Sequence, residues 1–363
     1  MRYRMLTRLA LGLSLTVALT GTGAAAASAG PDSSRGALDP SSSWDAAAAA
    51  PHASADAPRA AATSATADRT VKGLDWPAFR SVNLARLSGG SEPVSRRAEL
   101  DSIAGDWASR QVELGWTQNA EGSPQDDPDL EWKVPAGSLN GTQGLIYSWG
   151  TWEDGSPVTE SDFLGLVDYW LHEWERESHW ASTMTDAGVA IAHSDYGWVA
   201  YIILVQYPHS TAAADEMPLY RFYVPSTGTH FYSTSDGERN TVISYPEYLY
   251  EGRVAYIKAP RATSLTTPLA DLNRFQLKGT ASHFYTANTL EYAQVVKFPQ
   301  YQLDGIAGRV FSASGPGLTA MHRFFRPASG THFYSANPDE IALVKAMPEY
   351  AYEGPAFYLR IAS

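Results

Sequence analysis

Arg323-Phe324-Phe325, Gly330-Thr331-His332-Phe333-Tyr334, Pro348-Glu349-Tyr350 and Tyr352-Glu353-Gly354 form a pattern that has already occurred twice upstream. The first copy reads Arg221-Phe222-Tyr223, Gly228-Thr229-His230-Phe231-Tyr232, Pro246-Glu247-Tyr248 and Tyr250-Glu251-Gly252. The second reads Arg274-Phe275, Ser282-His283-Phe284-Tyr285, Pro299-Gln300-Tyr301 and Leu303-Asp304-Gly305. Arg to His is nine positions in every copy, and His to the acid before Gly is twenty-one. Such constancy marks a repeated supersecondary unit. Glu238, Glu291 and Glu340 each follow the His by eight positions, in segments spaced like one or two helical turns. Residues 220–224 and 229–233 interleave aromatic and polar side chains across Pro225-Ser226-Thr227-Gly228, which predicts a hairpin. Each copy is expected to run strand, turn, strand, short helix, strand.

One such unit cannot bury its aromatic face alone. Three copies, at about 218–259, 268–313 and 318–361, therefore predict a mainly-β domain over 218–363 with approximate threefold symmetry, β-trefoil-like or a related compact barrel. The unit resembles a repeat of unknown function found on many secreted bacterial proteins. The second copy has diverged most: Gly-Thr has become Ala281-Ser282, and Tyr-Glu-Gly has become Leu303-Asp304-Gly305.

Upstream the chemistry changes. Arg2, Arg4 and Arg8, an apolar run over 9–19 and the A-x-A site Ala27-Ser28-Ala29 read as a secretory signal peptide over 1–29, so a secreted, extracellular protein is expected. The run is about half of the roughly 20 residues a membrane span requires, and no later segment is both long and uncharged enough. Residues 30–70 are rich in Ala, Ser, Asp and Pro, and read as a disordered spacer. A second Ala-rich stretch, 210–217, reads as the linker before the repeats. With no cysteine, neither disulfides nor thiolate metal sites are available. The net charge of −12 argues against nucleic acid, whose phosphates demand Lys and Arg. Eleven Trp and twenty Tyr supply aromatic surface for packing or for stacking on sugars.

Between the two Ala-rich stretches, Phe79, Val82, Arg86 and Leu87 repeat at helical spacing before Gly89-Gly90. Leu100, Ile103, Ala104 and Trp107 predict a second helix; Phe163, Leu166, Val167, Trp170 and Trp174 predict a third from about Glu160. Two strands, over 188–193 and 198–207, are expected to close the region.

Several stretches here resemble the CAP superfamily of cysteine-rich secretory proteins. Val82-Asn83 with Arg86 and Pro93 resembles its opening N-x-x-R and downstream Pro, and Leu100, Ala104, Trp107 and Ala108 resemble its second helix. Trp170-Leu171-His172-Glu173 resembles W-Y-x-E, Ser178-His179-Trp180 resembles G-H-Y, and Gly188-Val189-Ala190 with Val205-Gln206-Tyr207 resembles the terminal strands. The resemblance implies an α-β-α sandwich over 71–209 and an α+β chain overall. It also implies a cleft with two His and two Glu, of which Glu173 and His179 match by position. The others do not: Trp116-Thr117-Gln118 and Thr142-Gln143-Gly144 stand where His and G-E-N are expected. Gln neither exchanges a proton nor binds metal well, so no metal or cofactor is expected. Glu173 polarising His179 would still suffice for general-base chemistry if both face one cleft. His172 and His193 read as surface polar residues.

In the repeats, Arg221, His230 and Glu251, Arg274, His283 and Asp304, and Arg323, His332 and Glu353 admit two readings. Each Arg holds its acid and each His a turn, so that repetition is architecture; or each set lines a shallow sugar pocket, three weak sites gaining by avidity on a cell-wall glycan. The preferred expectation is a secreted, non-enzymatic CAP-like protein whose repeats bind an extracellular polysaccharide or cell surface. The alternatives are a CAP-type hydrolase using Glu173 and His179, with the repeats as targeting module, and a carrier of a small apolar ligand.

Overall fold

The computed structural model describes residues 67–114, 126–139, 142–150, 156–177, 183–195, 197–264 and 266–362. These residues all belong to one compact unit, Pro40–Ser363. The signal peptide, nearly all of the spacer, Trp116-Thr117-Gln118 and His179 lie outside them. The chain is a mixed α+β protein, with helices dominating its first part and strands its C-terminal part.

The first part contains α1 (Asp75–Ser88), β1 (Ser95–Arg96), α2 (Ala98–Glu113), α3 (Leu130–Lys133), β2 (Thr142–Trp149), α4 (Glu160–Glu177), β3 (Asp186–Ser194) and β4 (Gly197–Val205). The four strands form one sheet in the order β1-β3-β4-β2, with β1 parallel to β3 and the other pairs antiparallel. Alternation along the strands decides what covers each face. Val189, Ile191, Ala200, Ile202 and Leu204 join Phe79 and Val82 of α1 and Phe163 and Val167 of α4 in one cluster. Ala190, Ala192, Val199, Tyr201 and Ile203 join Leu100, Ala104, Trp107 and Val112 of α2 in another. With both faces covered, β3 and β4 read as near-continuous apolar runs. Gly188 lets α2 approach closely: a Cβ there would lie 2.2 Å from the Leu100 carbonyl carbon.

The second part repeats one order of elements three times. The first copy is β5 (Glu216–Val224), β6 (Thr229–Ser233), α5 (Asp236–Ile243) and β7 (Leu249–Lys258). The second is β8 (Leu269–Leu277), β9 (His283–Thr286), α6 (Thr289–Val295) and β10 (Tyr301–Phe311). The third is β11 (Thr319–Arg326), β12 (Thr331–Ser335), α7 (Pro338–Ala346) and β13 (Ala351–Ile361). Strand β5 begins inside the stretch read as linker, because Glu216 pairs in register with Lys258 and its carboxylate binds Arg360 and Lys258.

These nine strands do not close into the barrel that three stacked copies suggested. They form one branched sheet in which β7, β10 and β13 meet through only one or two residue pairs near their ends. Closure is made by side chains instead. Leu219, Tyr232, Leu272, Tyr285, Met321, Tyr334 and Phe357, drawn from all three copies, share one core. Each copy also keeps a peripheral cluster around its own Phe pair, Phe222 with Phe231, Phe275 with Phe284, and Phe324 with Phe333.

Helix α1 also covers the first copy: it packs on α5 and β7, and Leu84 and Leu87 join that copy's peripheral cluster. Glu92 pairs with Arg239 at 2.8 Å across the same junction. Among the described residues, no helix is long and apolar enough to cross a membrane.

Candidate functional site

The repeated Arg, His and acid come together in every copy, one from each of three adjacent strands. Arg221 Nε lies 2.6 Å from Glu251, Arg274 Nε 3.1 Å from Asp304, and Arg323 Nε 2.6 Å from Glu353. The His Nε2 atoms lie 3.3 Å from Glu251, 3.5 Å from Asp304 and 3.7 Å from Glu353.

A fourth residue completes each set, and it comes from the preceding copy. Arg274 donates to both oxygens of Glu238 at 2.8 and 2.9 Å, and Arg323 to both oxygens of Glu291 at 2.9 Å. Arg221 reaches Glu340 at 3.1 Å, so the third copy is tied back to the first. Helix capping positions these glutamates: Ser235, Asn288 and Asn337 accept the backbone N–H groups of Glu238, Glu291 and Glu340. Each acid thus sits in a first helical turn, where the helix dipole favours negative charge. Burial alone would raise Glu238 and Glu291, but the Arg hydrogen bonds outweigh it and hold both below the ordinary carboxylate value.

The histidines follow the same cyclic order. His230 packs on Phe333 at 4.8 Å, His283 on Phe231 at 4.8 Å and His332 on Phe284 at 4.7 Å. Burial first, and the neighbouring guanidinium second, push His283 and His332 down to about 4. Each guanidinium is already divided between two carboxylates, and each imidazole lies on a ring of the preceding copy. The nine residues form a girdle between copies and present no free fork to a ligand.

Free space lies at the junctions. Between the second and third copies, Asn288, Glu291, Arg323 and Glu353 line a crevice of about 120 Å³. Between the third and first copies, the corresponding crevice opens into a cavity of about 950 Å³, because residues 70–76, 95–101 and 207–209 of the first part form its other wall. Small-molecule sites typically span roughly 300–1,000 Å³. Both signs of charge line the cavity in balance: Lys72, Arg96, Arg97, Arg221 and Arg253 face Asp75, Glu99, Asp101, Asp186 and Glu251.

These charged groups are braced. Arg96 binds Asp75, contacts Asp101 at 2.8 Å and lies 3.8 Å above the Trp76 ring. Arg253 donates to His209 Nδ1 at 3.0 Å; the other ring nitrogen then carries the proton and donates to Asp186 at 2.8 Å. Arg97 meets the same carboxylate at 3.3 Å. Burial lifts Asp101 to about 6 despite Arg96 beside it. Among the described residues, no group of three or more His, Asp or Glu could hold a metal ion.

Of the cavity residues, sequence reasoning singled out only Arg221 and Glu251. Arg253 was visible in principle, since Ile306 and Pro355 occupy its position in the other copies. Trp76, Arg96 and His209 carry no local signal. Glu173 lies half-buried on α4, and its partner His179 is outside the described residues. His172 Nδ1 lies 2.8 Å from the Asp168 carbonyl, one turn back on α4, and the exposed His193 lies against the Trp198 ring.

The family described as a domain of unknown function, DUF5648, matches residues 176–272 and again residues 271–362, together just over half of the chain. The chain belongs to the DUF5648 family. The two DUF5648 matches meet inside β8, so the second takes in nearly all of copies two and three. The first DUF5648 match holds copy one together with the β3–β4 hairpin. No curated protein matches the chain.

Proposed function

We propose that this is an exported, non-enzymatic glycan-binding protein, and that its ligand sits in the cavity between a CAP-like region (71–209) and a three-copy repeat domain (218–363) with approximate threefold symmetry. The observation that carries the reading is the balanced lining of the 950 Å³ cavity. Five cations against five anions select no net charge, while a dense set of donors and acceptors suits a ligand made of hydroxyl groups. Trp76, half-buried in the cavity wall, adds apolar surface of the kind that meets a sugar ring.

Charged side chains around the wall favour a hydroxylated ligand over a small apolar one. The binding role moves from the repeated Arg, His and acid sets, which are spent on each other, to the junction that the first of them borders through Arg221 and Glu251. Export is read from the leader over 1–29, and a cell-wall or other extracellular polysaccharide is the partner it implies.

The test is calorimetric titration of the full chain with soluble chitin, cellulose and peptidoglycan fragments. Binding of one class, weakened in Val254→Trp, which narrows the cavity, and unaltered in Glu173→Gln, is the expected result. No binding of any fragment by the wild-type chain rejects the proposal, and turnover abolished by Glu173→Gln replaces it with the hydrolase reading.

A further inference from the structure

The three copies differ in what covers their outer, helix-side face, and among the described residues the second is left bare. In copy one this face carries Tyr220, Ile243 and Tyr250, all buried in the cluster that Leu84 and Leu87 of α1 complete. In copy three the same positions, counted from the repeat His, hold His322, Lys345 and Tyr352. These polar side chains cover one another: His322 stacks on Tyr352 and lies 2.6 Å from its hydroxyl, and Lys345 sits 4.1 Å from the ring centre.

In copy two the positions hold Asn273, Val296 and Leu303. Val296 is 46% and Leu303 44% exposed, against 1% for Ile243 and 5% for Tyr250 in copy one. Ile306, where copy one has Arg253, and Leu290 on α6 extend the bare surface, at 50% and 78%. The backbone notch is kept as well. Gly252 receives Ser95 of β1 so closely that a Cβ would lie 2.3 Å from the Ser95 hydroxyl, whereas the space above Gly305 is open. The divergence of Leu303-Asp304-Gly305 from Tyr-Glu-Gly is therefore not decay of a shared motif. It turns an aromatic that α1 covers into an aliphatic that none of the described residues covers.

We propose that the α6–β10 face of the second copy is a docking surface for an amphipathic helix of a partner protein, seated as α1 is seated on α5 and β7. The same place in the same unit already accepts such a helix, through two leucines one turn apart, and this is helix-in-groove recognition. Contiguous exposed aliphatic surface marks interaction sites in soluble proteins. The inference stands apart from the glycan cavity, whose walls include no residue of the second copy.

The probe is a hydrocarbon-stapled, fluorescent peptide with the α1 sequence (75–88), in which Trp76→Gln, Phe79→Gln and Val82→Gln leave Leu84 and Leu87 as the large apolar side chains. Fluorescence anisotropy with the full chain should give saturable binding that weakens roughly tenfold or more in Val296→Asp/Leu303→Asp. Both residues are exposed, so the variant should keep the wild-type melting temperature. Lys345→Asp, on the third copy's face, should leave binding unchanged. Absence of binding, or binding untouched by the double variant, overturns the proposal. So does sedimentation equilibrium in which the wild type self-associates and the double variant does not, since a second copy would then be the occupant.

Discussion

Arg221 and Glu340 meet at 3.1 Å although 119 positions separate them, and their contact closes the ring of copies. The pair is also the most deeply placed of its kind. The side chains of Glu340 and Glu251, which share Arg221, are 3% and 6% exposed, whereas Glu291 and Glu353, which share Arg323, are 29% and 31% exposed. The first part of the chain makes this difference by roofing the junction of copies three and one.

Equivalent substitutions should therefore have unequal costs. Arg221→Met leaves two buried carboxylates facing each other and should destabilise by about 3–5 kcal/mol. Arg323→Met leaves two that water can reach, and should cost about 1–2 kcal/mol. Urea unfolding midpoints at neutral pH measure both; equal losses would mean that the roof contributes no burial.

Stability should fall on the acid side, starting well above the carboxylate range. His283 and His332, ordinarily near 6.5 but held at about 4 in the fold, take a proton first in the unfolded chain. Stability thus rises with pH between about 4 and 6.5, by roughly 3 kcal/mol for each. Asp101, raised from 3.8 to about 6, acts in the opposite sense: it binds its proton first in the folded state and offsets about one histidine. Below 4.5, protonation of Glu238, Glu251 and Glu291 removes further stability, because the fold holds all three below their ordinary value. Melting temperature against pH should flatten between about 4 and 6.5 in His283→Gln, reverse its slope in His283→Gln/His332→Gln, where Asp101 is left to act, and steepen in Asp101→Asn.

How far the sequence reached can be judged from particular residues. Constant spacing from each His exposed the repeat and its order of elements, because a duplicated unit preserves distance along the chain. The helix stripe Leu100, Ala104 and Trp107 and the apolar runs of β3 and β4 were legible because one burial environment extends along each element. Strand β2 escaped notice. It lies at the edge of its sheet, where Leu145 alone is fully buried, and Gln143 and Gly144 interrupt its pattern; the run Leu145-Ile146-Tyr147 was the available signal. The pairing of Arg274 with Glu238 was hidden for a different reason. The spacing placed both residues in every copy, but nothing local says that an acid serves the next copy's Arg. The cavity was unreadable because it belongs to two separate parts of the chain.

Gly252 and Gly305 separate backbone strain from docking. Both hold positive φ, +125° and +130°, so alanine strains either one. Only at Gly252 does the new methyl also meet Ser95. Gly305→Ala should cost about 1–2 kcal/mol, and Gly252→Ala clearly more, with faster proteolysis of the first part at equal denaturant. Equal costs would show that β1 yields without penalty.

The tyrosines of the three His-Phe-Tyr motifs should behave as a coupled set. Tyr232 donates to the Tyr334 carbonyl at 2.9 Å, Tyr334 to the Tyr285 carbonyl at 2.8 Å and Tyr285 to the Tyr232 carbonyl at 3.1 Å, a closed cycle in the shared core. The hydroxyls of Tyr285 and Tyr334 also accept the backbone N–H groups of Tyr232 and Tyr285, at 2.8 and 3.0 Å. Tyr334→Phe keeps the ring but leaves a buried N–H and a buried carbonyl on Tyr285 without this partner, at a cost of about 1–3 kcal/mol. Tyr352→Phe, at an exposed hydroxyl beside His322, should stay within about 0.5 kcal/mol of wild type. Because both hydroxyls bond backbone within one shared core, which can relax once for both losses, the double variant Tyr285→Phe/Tyr334→Phe should lose less than the sum of the single losses. A double-mutant cycle on urea unfolding reads that coupling directly; strict additivity would mean that the three hydroxyls act independently and that the aromatic core alone holds the copies together.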